Sequence, residues 1–286
     1  MDSVNNTCTT PGDLERSQQD KLIEANLARV KRKILVMSGK GGVGKSTVAS
    51  YLALLLARSG KKVGLMDVDL HGPTVARLMN VRGGFEIEEE KGEIRPYRFS
   101  DNLGIVSLDM VLGDQDTAVI WRGPMKISAI RQFISDIDWG ELDFMVVDSP
   151  PGTGDEPLTV AQTIPDAEAV IVTTPQEVSL ADVRKSINFC RQVELKILGV
   201  VENMSGFACP HCGETIDLFG RGGGAHMAAQ MNVPMLGQLP IDPAMVTAGD
   251  TGDLEGLVAR AELPINKAYG QVLEGIIKGG VERTNA

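Results

Sequence analysis

The sequence predicts an α/β fold, in which a doubly wound, mostly parallel sheet is flanked by helices on both faces. Short runs of consecutive apolar residues recur along the chain, and such runs are typical of strands that are buried on both faces. Longer stretches with helical periodicity separate these runs. Because no internal repeat or low-complexity block interrupts the alternation, we expect residues 33–286 to form one domain.

The apolar runs and the periodic stretches predict the main elements in chain order. Strands are predicted at 34–37, 63–66, 144–147, 169–172 and 197–201. Helices are predicted at 45–59, 125–137 and 180–193, where apolar residues repeat at helical spacing. A final helix follows from the apolar stripe between Ile265 and Ile277. Residues 83–97 mix glycine with charged residues, and we expect a hairpin-like excursion there.

The N-terminal residues differ in composition from the rest of the chain. Residues 1–19 are rich in Asn, Thr, Ser and Gln, which predicts a mobile tail, and residues 21–32 predict a short lead-in helix. The start of the chain lacks the basic and apolar regions of a secretory signal. The longest apolar run, 48–57, has about half the length that spans a bilayer. We therefore expect residues 1–32 to form a tail on a soluble, cytoplasmic protein.

Composition argues against two classes of partner. The net charge is −10 at pH 7, so the protein as a whole is not attracted to a nucleic-acid backbone. Aromatic residues make up only 4% of the chain, which disfavours binding of single strands by base stacking. Only four cysteines occur, and this number does not suggest a disulfide-stapled scaffold. We expect neither nucleic acid nor membrane as a partner.

The strongest motif lies between the first predicted strand and the helix that follows it. Its sequence, G-K-G-G-V-G-K-S-T, satisfies the phosphate-loop pattern G-x-x-x-x-G-K-[ST] in the context that the pattern requires. Backbone N–H groups and the helix N-terminus would surround the phosphates. Lys45 is expected to reach the β- and γ-phosphates, and the Ser46 hydroxyl to ligate Mg²⁺. The predicted site for ATP and Mg²⁺ comprises Gly39, Lys40, Gly41, Gly42, Val43, Gly44, Lys45, Ser46 and Thr47.

Three aspartates follow predicted strands at the edge where ligands bind in such sheets. Asp67 and Asp69 come after the second strand, and Asp148 ends the third. Asp148 is therefore expected near Mg²⁺ as a Walker B carboxylate. The first two acids are also compatible with a helix N-cap and a solvated side chain. Gly152 lies in a loop of glycines and prolines after Asp148, and its N–H could donate to the γ-phosphate.

A second lysine, Lys40, lies inside the phosphate loop. The pattern G-K-G-G-x-G-K-[ST] resembles the deviant Walker A loop of the signature-lysine nucleotidases. This class includes the Min and Par ATPases, the arsenite-pump ATPases, the nitrogenase iron protein and the iron–sulfur cluster carriers. The resemblance implies that Lys40 reaches the phosphates of the opposite subunit in an ATP-bound homodimer. Without the resemblance, a single loop lysine is usually only solvated.

Further motifs narrow the resemblance. They are D-x-D-x-x-G-P at 67–73, W-R-G-P-M at 121–125, D-x-P-P-G-T-G-D at 148–155, and E-N-M-S at 202–205 before C-P-H-C at 209–212. Together they resemble the Mrp/ApbC family of iron–sulfur cluster carrier ATPases over about 33–277. The resemblance implies that Asp69 orients the attacking water, that Asp67 supports the magnesium shell and that Asn203 bonds the adenine edge. Pro240, Ile241 and Asp242 would line the other side of the base. A turn-forming asparagine is the alternative for Asn203.

Cys209 and Cys212, within the segment 203–219, could grip one metal centre, but a Cys₄ shell needs four ligands. A symmetric homodimer would supply two pairs across its twofold axis. The resemblance implies a labile [4Fe–4S] cluster that bridges two protomers. On chemistry alone a sulfur shell fits zinc equally well, and a redox or structural thiol pair is the third alternative. Cys8 is expected to be a bystander, and Cys190 to lie in the core of a helix.

The resemblance thus implies an ATPase whose slow hydrolysis is coupled to cluster transfer. Apo iron–sulfur proteins would be its clients and cluster-assembly proteins its donors. The main rival is a dimeric switch of the Min or Par kind with a structural CxxC, and it requires a basic amphipathic C-terminal helix. Only one basic residue, Lys267, lies between Ile265 and Ile277. A reductase like the nitrogenase iron protein is a second rival, and an anion pump is disfavoured because the chain has no second phosphate loop.

Overall fold

A computed structural model describes residues 11–69, 72–88, 93–110, 123–209 and 211–281. The strands are β1 (Val30–Ser38), β2 (Val63–Asp67), β3 (Glu86–Glu88), β4 (Glu93–Arg95), β5 (Tyr97–Ser100), β6 (Leu103–Ser107), β7 (Leu142–Asp148), β8 (Glu168–Thr173), β9 (Lys196–Glu202), β10 (Phe207–Ala208), β11 (Thr215–Ile216) and β12 (Met235–Gln238). The helices are α1 (Pro11–Ala28), α2 (Lys45–Arg58), α3 (Val75–Leu78), α4 (Gly123–Ser135), α5 (Asp155–Thr163), α6 (Glu177–Gln192), α7 (Gly223–Gln230), α8 (Pro243–Thr251), α9 (Leu254–Val258) and α10 (Pro264–Val281).

Eight strands form one sheet in the order β12-β9-β8-β1-β7-β2-β6-β5. Neighbouring strands are parallel except for β5, which runs antiparallel to β6 at one edge. The chain passes from β7 through α5 to β8, on the other side of β1. The carboxyl ends of the parallel strands therefore lie along one edge, on both sides of a change in winding direction, where ligands bind in open sheets of this kind.

Helices cover both faces of the sheet, and each face has its own apolar core. Residues of α1, α4, α5, α6 and α7 pack on one face, whereas α2, α3, α8, α9 and α10 pack on the other. The side chains of β1 alternate between the two cores, with Leu35 and Met37 in one and Ile34 and Val36 in the other. This alternation explains the continuous apolar runs of the central strands. The predicted doubly wound fold is confirmed.

The structure contains elements that the sequence patterns did not predict. The strands β6 and β12 were missed because Gly104 and Gly237 interrupt their short apolar runs. The side chain of Gln238 further obscures β12, which is only half-buried at the sheet edge. The helices α5, α8 and α9 were also missed, since each is short. The excursion expected at 83–97 contains an antiparallel hairpin of β3 and β4.

The N-terminal region requires a correction. Residues 1–32 were expected to form a tail with a short helix at 21–32, but α1 already begins at Pro11, and β1 begins at Val30. Ile23 and Leu27 are buried in the core shared with α4. The Asn26 side chain donates hydrogen bonds of 2.9–3.2 Å to three backbone carbonyls at 134–137. Because α1 has few apolar residues on its buried face, the sequence pattern does not predict that this helix packs against the domain. Residues 1–10, including Cys8, lie outside the described residues.

The C-terminal helix α10 is part of the core. Ile265, Tyr269, Val272 and Ile276 are at most 1% exposed and pack on the sheet face that α2 covers. The apolar stripe that defined the predicted helix is therefore used for internal packing. Within the described ranges, no helix is both long and apolar enough to cross a membrane.

We predict that α1 contributes measurably to the stability of the domain. Replacing the buried Leu27 by alanine (Leu27→Ala) should lower the free energy of unfolding by about 2 kcal/mol, because it leaves a cavity against α4. Leu22→Ala is the matched control, since Leu22 lies on the same helix but is 53% exposed and should change stability by less than about 0.5 kcal/mol. Urea unfolding monitored by circular dichroism measures both. Equal effects of the two substitutions would show that α1 is not docked.

Candidate functional site

The phosphate loop follows β1 at the carboxyl edge of the sheet and leads directly into α2. Gly42 and Gly44 have φ angles of +79° and +82°, a region that side chains with a Cβ rarely adopt. The loop is also closely confined by its neighbours. A Cβ on Gly39 would lie 2.5 Å from the backbone of Asp182, and one on Gly44 would lie 2.3 Å from Nδ2 of Asn203. Gly39, Gly42 and Gly44 are thus required by the local backbone or by close packing, whereas Gly41 has open space around its Cα.

Lys45 lies at the first position of α2 and is buried, with 6% of the residue exposed. Its Nζ is 2.6 Å from Oδ1 of Asp148 and 3.4 Å from Oδ2 of Asp69. Burial opposes the charge of the ammonium group, but attraction to Asp148 and Asp69 outweighs burial and raises the pKa of Lys45. The structure therefore brings together Lys45, Asp69 and Asp148, three of the four residues that were predicted to be catalytic, and the fourth, Lys40, is not in this cluster.

Asp67 is fully buried at the end of β2 and is held by protein donors. One carboxylate oxygen accepts a 3.1 Å hydrogen bond from the N–H of Asp69. The other accepts from the N–H groups of Thr74 and Val75, each at 3.1 Å, and from the Ser107 hydroxyl at 3.2 Å. Asp67 thus bonds the first N–H groups of α3 from outside the helix, whereas the N-cap position itself is Thr74, and both of its oxygens are already bonded within the protein.

Burial, together with the nearby charge of Asp148, raises the pKa of Asp67 to about 7. Burial also raises the pKa of Asp148, against the opposing effect of Lys45. Three carboxyl groups, those of Asp67, Asp69 and Asp148, therefore share one ammonium group in a region largely closed to water. A site with this excess of acid favours a divalent cation, which would replace the protons that burial favours on Asp67 and Asp148.

The residues expected at a magnesium ion fit that role. Asp148 keeps one buried carboxylate oxygen, Oδ2, without a hydrogen-bond partner, and the nearby Ser46 hydroxyl favours the ionised form of the same carboxyl group. Oxygen donors of this kind suit Mg²⁺, which retains several waters and takes few protein ligands. Among the described residues, no group of three or more His, Cys, Asp or Glu side chains could hold a metal alone. A magnesium ion here would therefore depend on nucleotide phosphates for further ligands.

Gly152 is placed differently from the sequence expectation. Its N–H, expected to reach a γ-phosphate, donates a 2.8 Å hydrogen bond to the carbonyl of Ser38, at the end of β1. The residue has a φ of +88°, which glycine adopts without strain. The loop after Asp148 is therefore tied to the start of the phosphate loop in this conformation. A bond from Gly152 to a phosphate would require this contact to break.

Asn203 and Pro240 line one cavity of about 510 Å³ beside the phosphate loop. The Asn203 side chain donates a 2.9 Å hydrogen bond to the carbonyl of Val43, so one of its N–H groups is used within the protein while its carbonyl oxygen remains available for a base. The cavity also contains apolar side chains that the sequence did not predict for this site. They are Leu78, Met204, Phe219, Met245, Val246, Ile265 and Tyr269. Ile241 and Asp242, which were expected beside Pro240, also line it.

Cys209 and Cys212 lie at the tip of a hairpin formed by β10 and β11. The hairpin is closed by hydrogen bonds from the N–H of Cys209 to the Glu214 carbonyl and from the N–H of Gly213 to the Cys209 carbonyl, at 2.9 and 2.8 Å. Hydrogen bonds from the backbone N–H groups of Cys212 and His211 to its sulfur lower the pKa of the Cys209 thiol. Cys212 is exposed. The turn therefore presents two accessible sulfurs and favours the thiolate form of one.

The remaining residues of interest fall into three groups. Cys190 is buried against Met37, as expected of a core cysteine. Trp121 of the W-R-G-P-M motif lies outside the described residues, as do residues 70–71 of the motif at 67–73. Glu202 was missed as a separate site residue, although its buried carboxylate forms four hydrogen bonds at the end of β9. The sequence signal that could have identified Glu202 is its position as an acidic residue at the end of an apolar strand.

Comparison with known proteins identifies the family of this chain. A family model described as NUBPL iron-transfer P-loop NTPase, of the ParA type, matches residues 29–277. The chain belongs to this family. Nucleotide hydrolysis is therefore its general class of activity, and the resemblance to iron–sulfur cluster carrier ATPases is confirmed.

Curated relatives and solved structures agree with this P-loop NTPase assignment. The chain is 46% identical over 274 residues to an iron–sulfur cluster carrier protein of Saccharolobus solfataricus, covering 94% of this chain and 92% of that relative. It is 49% identical over 230 residues to the cytosolic Fe–S cluster assembly factor CFD1 of Saccharomyces cerevisiae, covering 78% of each chain. A nucleotide-binding protein of Archaeoglobus fulgidus in complex with ADP has a TM-score of 0.74 and 38% identity, covering 83% of this chain and 93% of that structure.

We predict a distinctive pH dependence for this P-loop NTPase in the absence of nucleotide. The unfolded chain releases the Asp67 proton near the ordinary aspartate pKa of 3.8, whereas the folded protein retains it to about 7. Stability from this group is therefore complete at low pH and is lost as the pH rises between these two values. The melting temperature should fall from about pH 5 to about pH 7.5 by more in the wild type than in Asp67→Asn.

Differential scanning calorimetry at several pH values measures this difference. Asp101→Asn is the matched control, because the Asp101 side chain is 88% exposed, and its pH profile should follow that of the wild type. The quantity to compare is the slope of the melting temperature against pH, because the Asp67→Asn substitution would alter the contacts to α3 at every pH. Parallel profiles for the wild type and Asp67→Asn would contradict the raised pKa.

Proposed function

We propose that this protein binds and hydrolyses ATP, holds a labile [4Fe–4S] cluster between two protomers and transfers it to apoproteins. The observation that carries the proposal is the exposed cysteine turn at 209–212, placed on the same chain segment as the nucleotide site. Asn203 at the phosphate loop and Cys209 at the tip of the hairpin are separated by only a short stretch of backbone that follows β9. The names of the relatives support iron–sulfur cargo.

The geometry supports distinct roles for the residues at the nucleotide. Lys45, already held as a cation by Asp148, would bind the β- and γ-phosphates at the N-terminus of α2. Asp69 is the group positioned to accept a hydrogen bond from an attacking water, because the Asp67 carboxylate is already bonded to the start of α3. Magnesium, when bound with ATP through Ser46, would neutralise charge on the phosphates. Slow hydrolysis would follow from the need to rearrange the Gly152 contact to Ser38.

We place Lys40 at the interface of an ATP-bound homodimer. Within the described part of the chain it forms no ion pair, and it is only half-buried. The Ser38 hydroxyl donates a 2.9 Å hydrogen bond to the Lys40 carbonyl, which fixes the backbone and leaves the side chain free to extend. A cation at this position can reach phosphates of a partner protomer, where it would act only in the dimer.

A homodimer would also complete the cluster ligands. Each protomer offers Cys209 and Cys212, and two protomers offer the four thiolates that a [4Fe–4S] cluster takes. The lowered pKa of Cys209 favours the thiolate, which is the metal-binding form. The exposure of the turn is consistent with a cluster that is handed on to client apoproteins after it is received from a donor. We place this exchange in the cytoplasm, where the yeast relative is named as an assembly factor.

The alternative of a Min-type switch rests on similarity of fold. The cell-division ATPase MinD of Pyrococcus furiosus has a TM-score of 0.64 and 25% identity, covering 87% of this chain and 99% of that structure. A membrane-binding switch needs a free amphipathic helix, whereas the apolar stripe of α10 is packed against the sheet. The overall charge of −10 also opposes binding to nucleic acid or an anionic membrane. The packing of α10 therefore favours the cluster carrier.

Anaerobic reconstitution with iron and sulfide tests the cysteine assignment. We expect about four irons per two chains and a visible charge-transfer band, because a [4Fe–4S] cluster is held by four thiolates. Cys209→Ser/Cys212→Ser should lose both signals and keep its affinity for ATP. Cys190→Ala is the matched control, since Cys190 is buried in the core and should retain the cluster. Stoichiometric zinc in the wild type, or a full cluster in the double variant, would refute the assignment.

A further inference from the structure

Glu202 is a buried carboxylate that the nucleotide and cysteine sites do not directly use. It ends β9 and has no measurable exposed surface. Its Oε1 accepts hydrogen bonds from the Ser205 hydroxyl at 2.5 Å, from the Gly222 N–H at 3.0 Å and from the Gln238 side chain at 2.9 Å. Its Oε2 accepts from the Gly224 N–H. Four donors thus surround one side chain, which is the arrangement that stabilises a buried charge without a cation.

Three of these four donors lie at the two ends of the cysteine-bearing segment, and the fourth, Gln238, lies on β12. Ser205 immediately precedes the hairpin of β10 and β11, whereas Gly222 and Gly224 follow it at the start of α7. The glycines allow this approach, since a Cβ on Gly224 would lie 2.8 Å from the Glu202 carboxylate. One carboxylate therefore fixes the entry and the exit of residues 205–222, and with them the base of the hairpin that carries Cys209.

The same strand end is connected to the nucleotide site. Asn203, the next residue, donates to the Val43 carbonyl in the phosphate loop. The Ile241 N–H donates to the Gly206 carbonyl at 2.8 Å. Ile241 lines the nucleoside cavity and Gly206 directly precedes β10, so this bond connects the cavity to the hairpin. A ligand that shifts either contact would move the backbone that directly follows Glu202. The two sites therefore share one short piece of backbone.

We infer that Glu202 is a positioning residue that couples nucleotide occupancy to the placement of the Cys209–Cys212 turn. This inference deepens the proposed function and rests on it, because it assumes that the cysteine turn carries the cargo. Glutamine in place of glutamate keeps the size of the side chain but replaces one acceptor by an N–H₂ donor. That donor would face the N–H of Gly222 or Gly224, so one end of the segment would be released while β9 and the phosphate loop keep their packing.

Hydrogen–deuterium exchange of the full-length, cluster-free protein tests this inference. The wild type and Glu202→Gln are compared with and without a non-hydrolysable ATP analogue and Mg²⁺. In the wild type, we expect the nucleotide to change the exchange rate of the hairpin at 207–216, a range that excludes Phe219, which lines the nucleoside cavity. In Glu202→Gln, exchange of this segment should be faster by roughly tenfold, as for loss of one charge-assisted hydrogen bond in a local opening. Its response to nucleotide should disappear, whereas α2 should still become protected.

A second pair of variants separates coupling from general stability and applies even if Glu202→Gln fails to fold. Ser205→Ala and Gln238→Ala each remove one hydrogen-bond donor to the same Glu202 oxygen. Only Ser205 belongs to the chain segment that carries the hairpin, whereas Gln238 lies on β12. Ser205→Ala should weaken the nucleotide response of 207–216, and Gln238→Ala should preserve it. The inference is overturned if both variants respond alike, if Glu202→Gln responds as the wild type does, or if the wild-type segment does not respond. Iron content in reconstitution is independent of these outcomes and tests the proposed function separately.

Discussion

The ammonium group of Lys45 is held between the buried carboxylates of Asp148 and Asp69, and the nucleotide site is organised around this contact. The contact joins α2 to the ends of β7 and β2, so it fixes the phosphate loop against the carboxyl edge of the sheet. A buried ion pair by itself is weak evidence of stability, because desolvation opposes the attraction. Here the acids outnumber the cation, which leaves a local negative charge that favours Mg²⁺ together with nucleotide.

Local backbone contacts extend this arrangement to the rest of the edge. Asp67 is bonded to the start of α3, Gly152 is bonded to Ser38, and Asn203 is bonded to Val43. Each of these bonds links a loop beside the phosphate loop to another element, and the Gly152 bond uses the N–H that a γ-phosphate would compete for. Breaking that bond on nucleotide binding would release the loop after Asp148 from the start of the phosphate loop. The cysteine hairpin adjoins these loops, because β10 begins shortly after Asn203.

The central fold could be predicted from the sequence because β1, β7 and β8 are buried on both faces and have continuous apolar runs. Their helices, and the glycines of the phosphate loop, also carry local signals. The docking of α1 could not be predicted in the same way, since it depends on Ile23, Leu27 and the contacts of Asn26 with distant carbonyls. Sequence motifs also predicted that Asp67 and Gly152 lie at the site. Their hydrogen-bond partners are set by tertiary packing, which no local pattern records.

The transfer of a cluster to an acceptor protein is the most direct test of a carrier function. The cluster-loaded protein would be mixed under anaerobic conditions with an apo enzyme that needs a [4Fe–4S] cluster, in the presence of an iron chelator and with or without Mg²⁺ and ATP. A carrier should restore acceptor activity despite the chelator, and nucleotide should change the rate. If the chelator intercepts all the iron and the acceptor stays inactive, the cluster is released to solution, and a carrier function is contradicted.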